Sequence, residues 1–244
     1  MPKNALRDSN SVSFRMSESD QSRGVPMPPI QKPAPKGKIP IQLPAPPESL
    51  GRKYLKRAIA DRKSRRSFTE NPISLEELSL LLWATQGVRD RTNPNRIYRN
   101  VPSAGNRHAT ETYLAVFLVE GLAKGLYRYL PADHALVPVS RPQRLEEKVS
   151  EACMGQRFAG SAAVTFIWSV VRYRTEWRYP GASIKILALD VGHVCQNLYL
   201  ACEAIGCGTC AIAAYDQEKA DALLGLDGDD EFVIYIAPVG KAED

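Results

Sequence analysis

Val164-Thr165-Phe166-Ile167-Trp168 and Phe232-Val233-Ile234-Tyr235-Ile236 are two nearly continuous apolar runs. Neither alternates with polar residues, so each reads as a strand buried on both faces, in the middle of a sheet. They extend to residues 163–171 and 232–239, and three further strand-like runs lie at 112–119, 126–130 and 209–214. Helical signals fall between them. Ser74-Leu75-Glu76-Glu77 is a capping box, in which the Ser hydroxyl and the Glu side chain each satisfy a free amide of the first turn. Leu75, Leu78, Leu81, Leu82 and Thr85 follow at helical spacing, and Gly87 is a natural stop. Residues 190–205 read as a long helix ending at Gly206, and 216–224 as a shorter one ending at Gly225. An earlier helix is expected over 50–62, with Leu50, Tyr54 and Ala58 facing inward. Helices and strands are mixed without a regular βαβ repeat, which predicts an α+β fold with helices packed around one central sheet.

The chain has 244 residues, 44% hydrophobic and 24% charged, as expected of one globular domain plus an extension. Ten of the 18 prolines precede residue 50, and the earlier half of that stretch is rich in Ser, Asn and charge. Residues 1–48 therefore read as a flexible extension, although Ile39 to Pro44 could lie extended across the domain or a partner subunit. The fold proper is expected over 49–244. No run approaches the roughly 18 apolar residues of a membrane span, and no secretory signal is visible, so a cytoplasmic location is expected. Five cysteines do not suit a disulfide framework. Cys207-Gly-Thr-Cys210 has redox-dithiol or half-zinc-site spacing, but no second ligand pair accompanies it, and small buried hydrophobes are the simpler reading. No metal is expected.

The net charge of +5 is unevenly spread. Arg62-Lys63-Ser64-Arg65-Arg66-Ser67-Phe68 packs four cations and two hydroxyls into six residues before an aromatic. Such a run neutralises a phosphate and keeps donors for a second acceptor. In an extended segment, Arg62, Ser64 and Arg66 point one way and converge on one ligand, while Arg65 is expected to face solvent. A nucleic-acid patch is the rival reading, but no nucleic-acid module accompanies it. A second turn-rich motif, Pro102-Ser103-Ala104-Gly105-Asn106, lies in a polar stretch, 88–111, that reads as a long functional loop or lid.

Arg62-Lys63-Ser64-x-Arg66-x-Phe68, Pro72 to Leu78 and Leu82 to Gly87 resemble the opening of the FMN-dependent nitroreductase family. More narrowly they are similar to its SagB-type (thiazole/oxazole oxidase-type) dehydrogenase branch. Arg99-Asn100-Val101-Pro102-Ser103-Ala104-Gly105-x-Arg107-His108-x-x-Glu111, Gly125 to Tyr129, Asp190-Val191-Gly192-His193-x-x-Gln196-Asn197-Leu198-Tyr199 and Pro238-Val239-Gly240 extend the likeness to about residue 241. The resemblance implies a nitroreductase-like fold, a central, mostly antiparallel sheet surrounded by helices, assembled as a homodimer with FMN at the subunit interface.

Carried over by position, it implies that Arg62 and Ser64 hold the flavin phosphate or ribityl chain, with Lys63 nearby, and that Arg66 reaches the pyrimidine edge. Pro102, Ser103, Ala104, Gly105 and Asn106 would line the ring. Gln156 would touch it from beside the sheet, Ala213 and Ala214 would offer a backbone amide at N5, and Lys241 would be a second phosphate cation. Ala213-Ala214 stand where many members carry Glu-Gly. Arg172-Tyr173 stand where azole-forming members carry Lys-Tyr, and Arg makes a poor general base. His108 and Tyr173 are candidates for substrate contact, and His193 reads as structural. The implied activity is hydride and electron transfer through flavin N5, from NAD(P)H to a small nitroaromatic or quinone acceptor. An azoline dehydrogenase acting on a heterocyclised peptide is the enzyme alternative. A non-catalytic flavin- or nucleic-acid-binding protein is the alternative of another class.

Overall fold

The computed structural model describes residues 18–90 and 97–243. In chain order the elements are β1 (Ile41–Gln42), α1 (Leu55–Asp61), α2 (Leu75–Gln86), β2 (Val88–Asp90), β3 (Tyr98–Arg99), β4 (Thr110–Val116), β5 (Gly125–Leu130), β6 (Ala135–Ser140), α3 (Leu145–Ala152), β7 (Val164–Val171), α4 (Arg172–Glu176), α5 (Ser183–Ala204), β8 (Cys207–Thr209), α6 (Gln217–Leu224) and β9 (Glu231–Lys241). Seven strands form one antiparallel sheet in the order β1-β6-β5-β4-β7-β9-β8. The two apolar runs are β7 and β9, paired with each other from Val164↔Val239 to Val171↔Glu231. They are interior strands, as their composition requires.

Alternation along the strands sends side chains into two cores. Leu114 and Val116 of β4, with Phe166 and Trp168 of β7, pack under α2 and α5. Tyr113, Ala115 and Ile167 point the other way, against α3 and α6. The arrangement is an α+β sandwich. The capping box at Ser74 and Glu77 is formed with both reciprocal hydrogen bonds, and Leu78, Leu81 and Leu82 are fully buried.

Several boundaries differ from expectation. The first helix starts at Leu55, because Tyr54 takes an extended ψ of 133°, and Tyr54 is 84% exposed rather than inward; Ala58 alone is buried. The run at 209–214 is not a strand throughout: β8 ends at Thr209 and only Ile212 bridges back to Ile236. The long helix begins earlier than position 190, at Ser183. Part of the 88–111 stretch forms the β2–β3 hairpin, whose connection, 91–96, lies outside the described residues.

Of the extension expected over residues 1–48, residues 18–48 are described and lie along the domain. Trp177 Nε1 donates to the Val25 carbonyl at 2.9 Å, Arg99 to the Ile30 carbonyl at 2.9 Å, and Arg128 to the carbonyls of Lys32 and Pro33 at 3.0 and 2.6 Å. The Lys32 amide donates to Glu111 at 3.1 Å, and its ammonium is paired with Glu231. Residues 1–17 lie outside the described part.

Glu111 is the pivot of this strap. It is 2% exposed and carries ion pairs to Arg174 at 2.6 Å and Arg128 at 3.3 Å. Removing one partner of a buried ion pair strands the other charges in low dielectric. Glu111→Ala is therefore expected to cost about 3–5 kcal/mol in urea unfolding. A loss under about 1 kcal/mol, the range of exposed pairs, would show that the network is solvated.

Candidate functional site

The basic run 62–68 lies along the β8 edge. Ser64 bridges Thr209 in parallel, the Arg65 amide donates to the Thr209 carbonyl at 3.0 Å, and Phe68 bridges Ala242. Two paired glycines admit it. A Cβ on Gly208 would lie 2.7 Å from Arg65 Cδ, and one on Gly240 would lie 2.7 Å from Phe68 Cβ. Arg65 does not face solvent: it turns inward to Glu203, at 2.6 Å. Lys53 meets the same carboxylate at 3.2 Å, so a buried-side anion holds the run to α5.

On the other side the alternation holds. The Arg62 guanidinium lies over the Tyr199 ring, 5.4 Å from its centroid, and Ser64 Oγ is 3.0 Å from the Tyr199 hydroxyl. That hydroxyl also accepts from the Ala211 amide at 2.8 Å, so Tyr199 ties the basic run to the segment after β8. Arg66 lies over the Phe158 ring at 5.9 Å. Among the described residues, no carboxylate is paired with Arg62, Lys63 or Arg66. Gln156 Nε2 donates to the Ala214 carbonyl at 2.9 Å, while the amides of Ala213 and Ala214 donate to nothing within the described residues. Lys241, expected as a second phosphate cation, is paired with Glu77.

The 102–108 loop is built separately. Ser103 Oγ donates to Asp190 at 2.6 Å and accepts from the His108 amide at 2.9 Å, and the Ala104 amide lies 3.3 Å from the same carboxylate. Burial pushes the Asp190 carboxyl up in spite of these donors. Gly105 (φ 59°) permits the turn, and a Cβ there would sit 2.5 Å from the Tyr179 hydroxyl oxygen. Arg107 lies over the Trp177 ring at 4.9 Å. His108 has φ 45°, is 5% exposed, and hydrogen-bonds the Ile97 backbone. Burial first, and then the Arg99 guanidinium, pull its pKa down to about 3. It is a neutral imidazole at pH 7.

Two further candidates are placed away from free reactivity. Tyr173 donates to Asp20 of the strap at 2.7 Å, and Arg172 is paired with Asp229 at 3.0 Å and Glu176 at 3.1 Å. His193 stands on an exposed stripe of α5. Cys207 and Cys210 are buried, and burial pushes the Cys207 thiol up to about 12. The described residues contain no group of three or more His, Cys, Asp or Glu that could hold a metal, and no helix long and apolar enough to cross a membrane.

Residues 59–241 match the profile of the nitroreductase family. The chain belongs to the nitroreductase family. Its members are flavin-dependent oxidoreductases, and the protein is an oxidoreductase. A Methanocaldococcus jannaschii protein named as a candidate nitroreductase is 30% identical over 187 residues, covering 77% of this chain and 90% of that one. The crystal structure of a Ralstonia eutropha protein, also named as a candidate nitroreductase, superposes with a TM-score of 0.70 at 27% identity, covering 88% of this chain and 99% of that one. The fold is shared too with the NADPH:FMN oxidoreductase from Vibrio harveyi complexed with NAD+, at a TM-score of 0.56 and 18% identity, over 78% of this chain and 69% of that one.

Asp190 and Tyr199, which position the loop and the basic run, carried no assigned role in the sequence. The signal available was their place in one helical landmark, nine residues apart.

The buried neutral state of His108 has a consequence for stability. An unfolded His takes up a proton near pH 6.5, whereas the folded one stays neutral until about pH 3. In that window the unfolded chain binds the extra proton, so stability falls as pH falls. Between pH 7 and 5, His108 alone is expected to remove roughly 2 kcal/mol from urea-unfolding stability, a loss that His108→Asn should not show. Equal slopes in the two proteins would contradict this.

Proposed function

We propose that the protein is an FMN-dependent oxidoreductase of the SagB-type branch, taking hydride from NAD(P)H and reducing a small nitroaromatic or quinone acceptor. The observation that carries this reading is the row Arg62, Ser64, Arg66: three donors aligned by Tyr199 and Phe158, without carboxylate partners among the described residues. A phosphate with a polar chain and an electron-rich ring edge fits that donor set. Arg62 and Ser64 would take the phosphate end, with Lys63 adding charge. Arg66 would place a fixed cation at the pyrimidine edge, and the open amides of Ala213 and Ala214 would polarise the neighbourhood of N5. Gln156 would fix those amides through the Ala214 carbonyl. The flavin supplies the two-electron chemistry; the chain supplies placement and charge. That the Vibrio harveyi protein of the same fold is an NADPH:FMN oxidoreductase and binds NAD+ supports FMN and NAD(P)H here.

The same geometry supports a homodimer. Asp190 and Tyr199 are nine residues apart on α5, which separates them by about 13.5 Å along the axis and turns them about 180° around it. The loop held by Asp190 and the run held by Tyr199 thus lie on opposite faces of one helix. In this reading the two segments of one chain would not share a ring, whereas two chains packed through α5 would bring them together twice. Ile184, Ala188, Leu189, Gly192, His193 and Gln196 form an exposed stripe along α5. Leu55 and Ile59 of α1, Tyr54 just before it, and Trp83 of α2 are exposed, and both helices pack against α5. Apolar surface of this kind is suited to a partner.

Azoline oxidation is less well supported, because Arg172 is tied to two carboxylates and Tyr173 to Asp20. Purified protein is expected to be yellow and to oxidise NADH or NADPH when menadione or a nitrofuran is added. Joint replacement Arg62→Ala and Ser64→Ala should strip the flavin. Arg66→Ala should keep most of it with a lowered midpoint potential. A colourless wild type whose added FMN stays unquenched would remove the reading.

A further inference from the structure

Tyr199 of α5 holds three groups at once. The Arg62 guanidinium lies 5.4 Å from its ring centroid, and its hydroxyl meets the Ala211 amide at 2.8 Å and Ser64 Oγ at 3.0 Å. We propose that the Tyr199 hydroxyl is a positioning group that sets cofactor specificity: it commits Ser64 to act as a hydrogen-bond donor, and so favours a phosphorylated flavin over the same flavin without its phosphate. This rests on the flavin reading above and goes beyond it by assigning the phosphate preference to a residue that acts through Ser64.

The direction of the hydrogen bonds carries the argument. A backbone N–H can only donate, so Ala211 occupies one lone pair of the Tyr199 oxygen. The phenolic proton then needs an acceptor, and among the described residues the one in reach is Ser64 Oγ. Ser64 therefore accepts from Tyr199, and its own proton points elsewhere. Thr209, which pairs with Ser64 through the backbone, does not take that proton: its Oγ1 is buried with no hydrogen-bond partner. The result is a one-way chain, from the Ala211 N–H through Tyr199 to Ser64, in which each bond polarises the next. It ends in an O–H donor on an exposed residue.

The neighbours of that donor decide what it suits. Arg62 and Lys63 precede it, and among the described residues neither is paired with a carboxylate. A polarised hydroxyl donor beside two such cations gains most from an anionic acceptor, because charge-assisted hydrogen bonds are roughly twice as strong as neutral ones. Phosphate oxygens are acceptors of that kind. The terminal hydroxyl of an unphosphorylated ribityl chain is neutral, so it draws little from the same set. The Tyr199 ring adds a second restraint, since it keeps the Arg62 guanidinium on the same side as Ser64. Through Ala211 the hydroxyl also steadies the start of the segment that carries Ala213 and Ala214.

Tyr199→Phe keeps the ring beside Arg62 and removes only the hydroxyl, so it tests the chain without opening a cavity. FMN and riboflavin are titrated separately into the full-length protein freed of bound flavin, with quenching of flavin fluorescence as the signal. The wild type, Tyr199→Phe, Ser64→Ala and the double variant are compared. The readout is the ratio of the two affinities, which a general loosening of the fold leaves alone because both flavins meet the same protein. Tyr199→Phe is expected to lower the preference for FMN about tenfold, and Ser64→Ala at least as far. The double variant should fall no further than Ser64→Ala, since the hydroxyl acts through that serine. An unchanged ratio in Tyr199→Phe overturns the proposal. So does a loss that persists in full in the Ser64→Ala background, which would mean that Tyr199 acts through Arg62 or the fold. In either case a wild type that still binds FMN leaves the flavin reading intact. A wild type that binds neither flavin removes both.

Discussion

Asp190 accepts hydrogen bonds from Ser103 and from the Ala104 amide, and nine residues further along α5 the Tyr199 hydroxyl meets Ser64 and Ala211. The two attachments occupy opposite faces of the helix, and most of the molecule is organised around keeping that helix in place. Leu187, Val191, Val194 and Leu198 are buried on it. Trp168 and Phe166 of the central strand support it from below, through the same core. α5 is therefore both a structural spine and a ruler that sets where the 102–108 loop and the basic run stand. Under the proposed homodimer, a second copy would turn its loop toward the first copy's basic run and so complete the site.

A second constraint is electrostatic. Arg99, Arg128 and Arg174 are all nearly fully buried, and Glu111 forms ion pairs with the last two while its charge also acts on Arg99. The Pro-rich strap contributes carbonyls from Ile30, Lys32 and Pro33 to this cluster, so backbone dipoles solvate charges that side chains do not neutralise. That explains why a segment with little apolar surface is nonetheless seated on the domain: its hydrogen bonds are to buried cations, which are the stronger kind. Burial first, and then the charge of this cluster, keeps His108 neutral, and among the described residues Arg99 Nε has no hydrogen-bond partner.

Much of the fold was legible in the sequence because local and tertiary signals agreed. β7 and β9 announce themselves by unbroken apolar runs, and α2 by its capping box and leucine spacing. β6 did not, because Pro138 interrupts it, and α3 did not, because it is short and its surface is Glu- and Lys-rich. Tyr54 looked like an inward helical residue, but the helix begins one residue later and the ring stays outside. In the site, alternation along the basic run separated Arg62, Ser64 and Arg66 from Arg65. What sequence could not supply was the partner of Arg65: Glu203 lies 138 positions away, and only the fold brings it there. Nor could spacing show that the basic run and the 102–108 loop stand on opposite faces of one helix, since that depends on which α5 residue each contacts.

Subunit complementation tests the shared site most directly. One chain carries Arg62→Ala with Ser64→Ala, the other Ala104→Trp in the loop, and the two are purified separately and co-expressed. Each variant alone is expected to be colourless, while the mixed dimer, which retains one intact site built from the undamaged half of each chain, should hold about one FMN per two chains. A mixed dimer that binds no flavin, with wild type binding it fully, would place both halves of the site within a single chain and contradict the account.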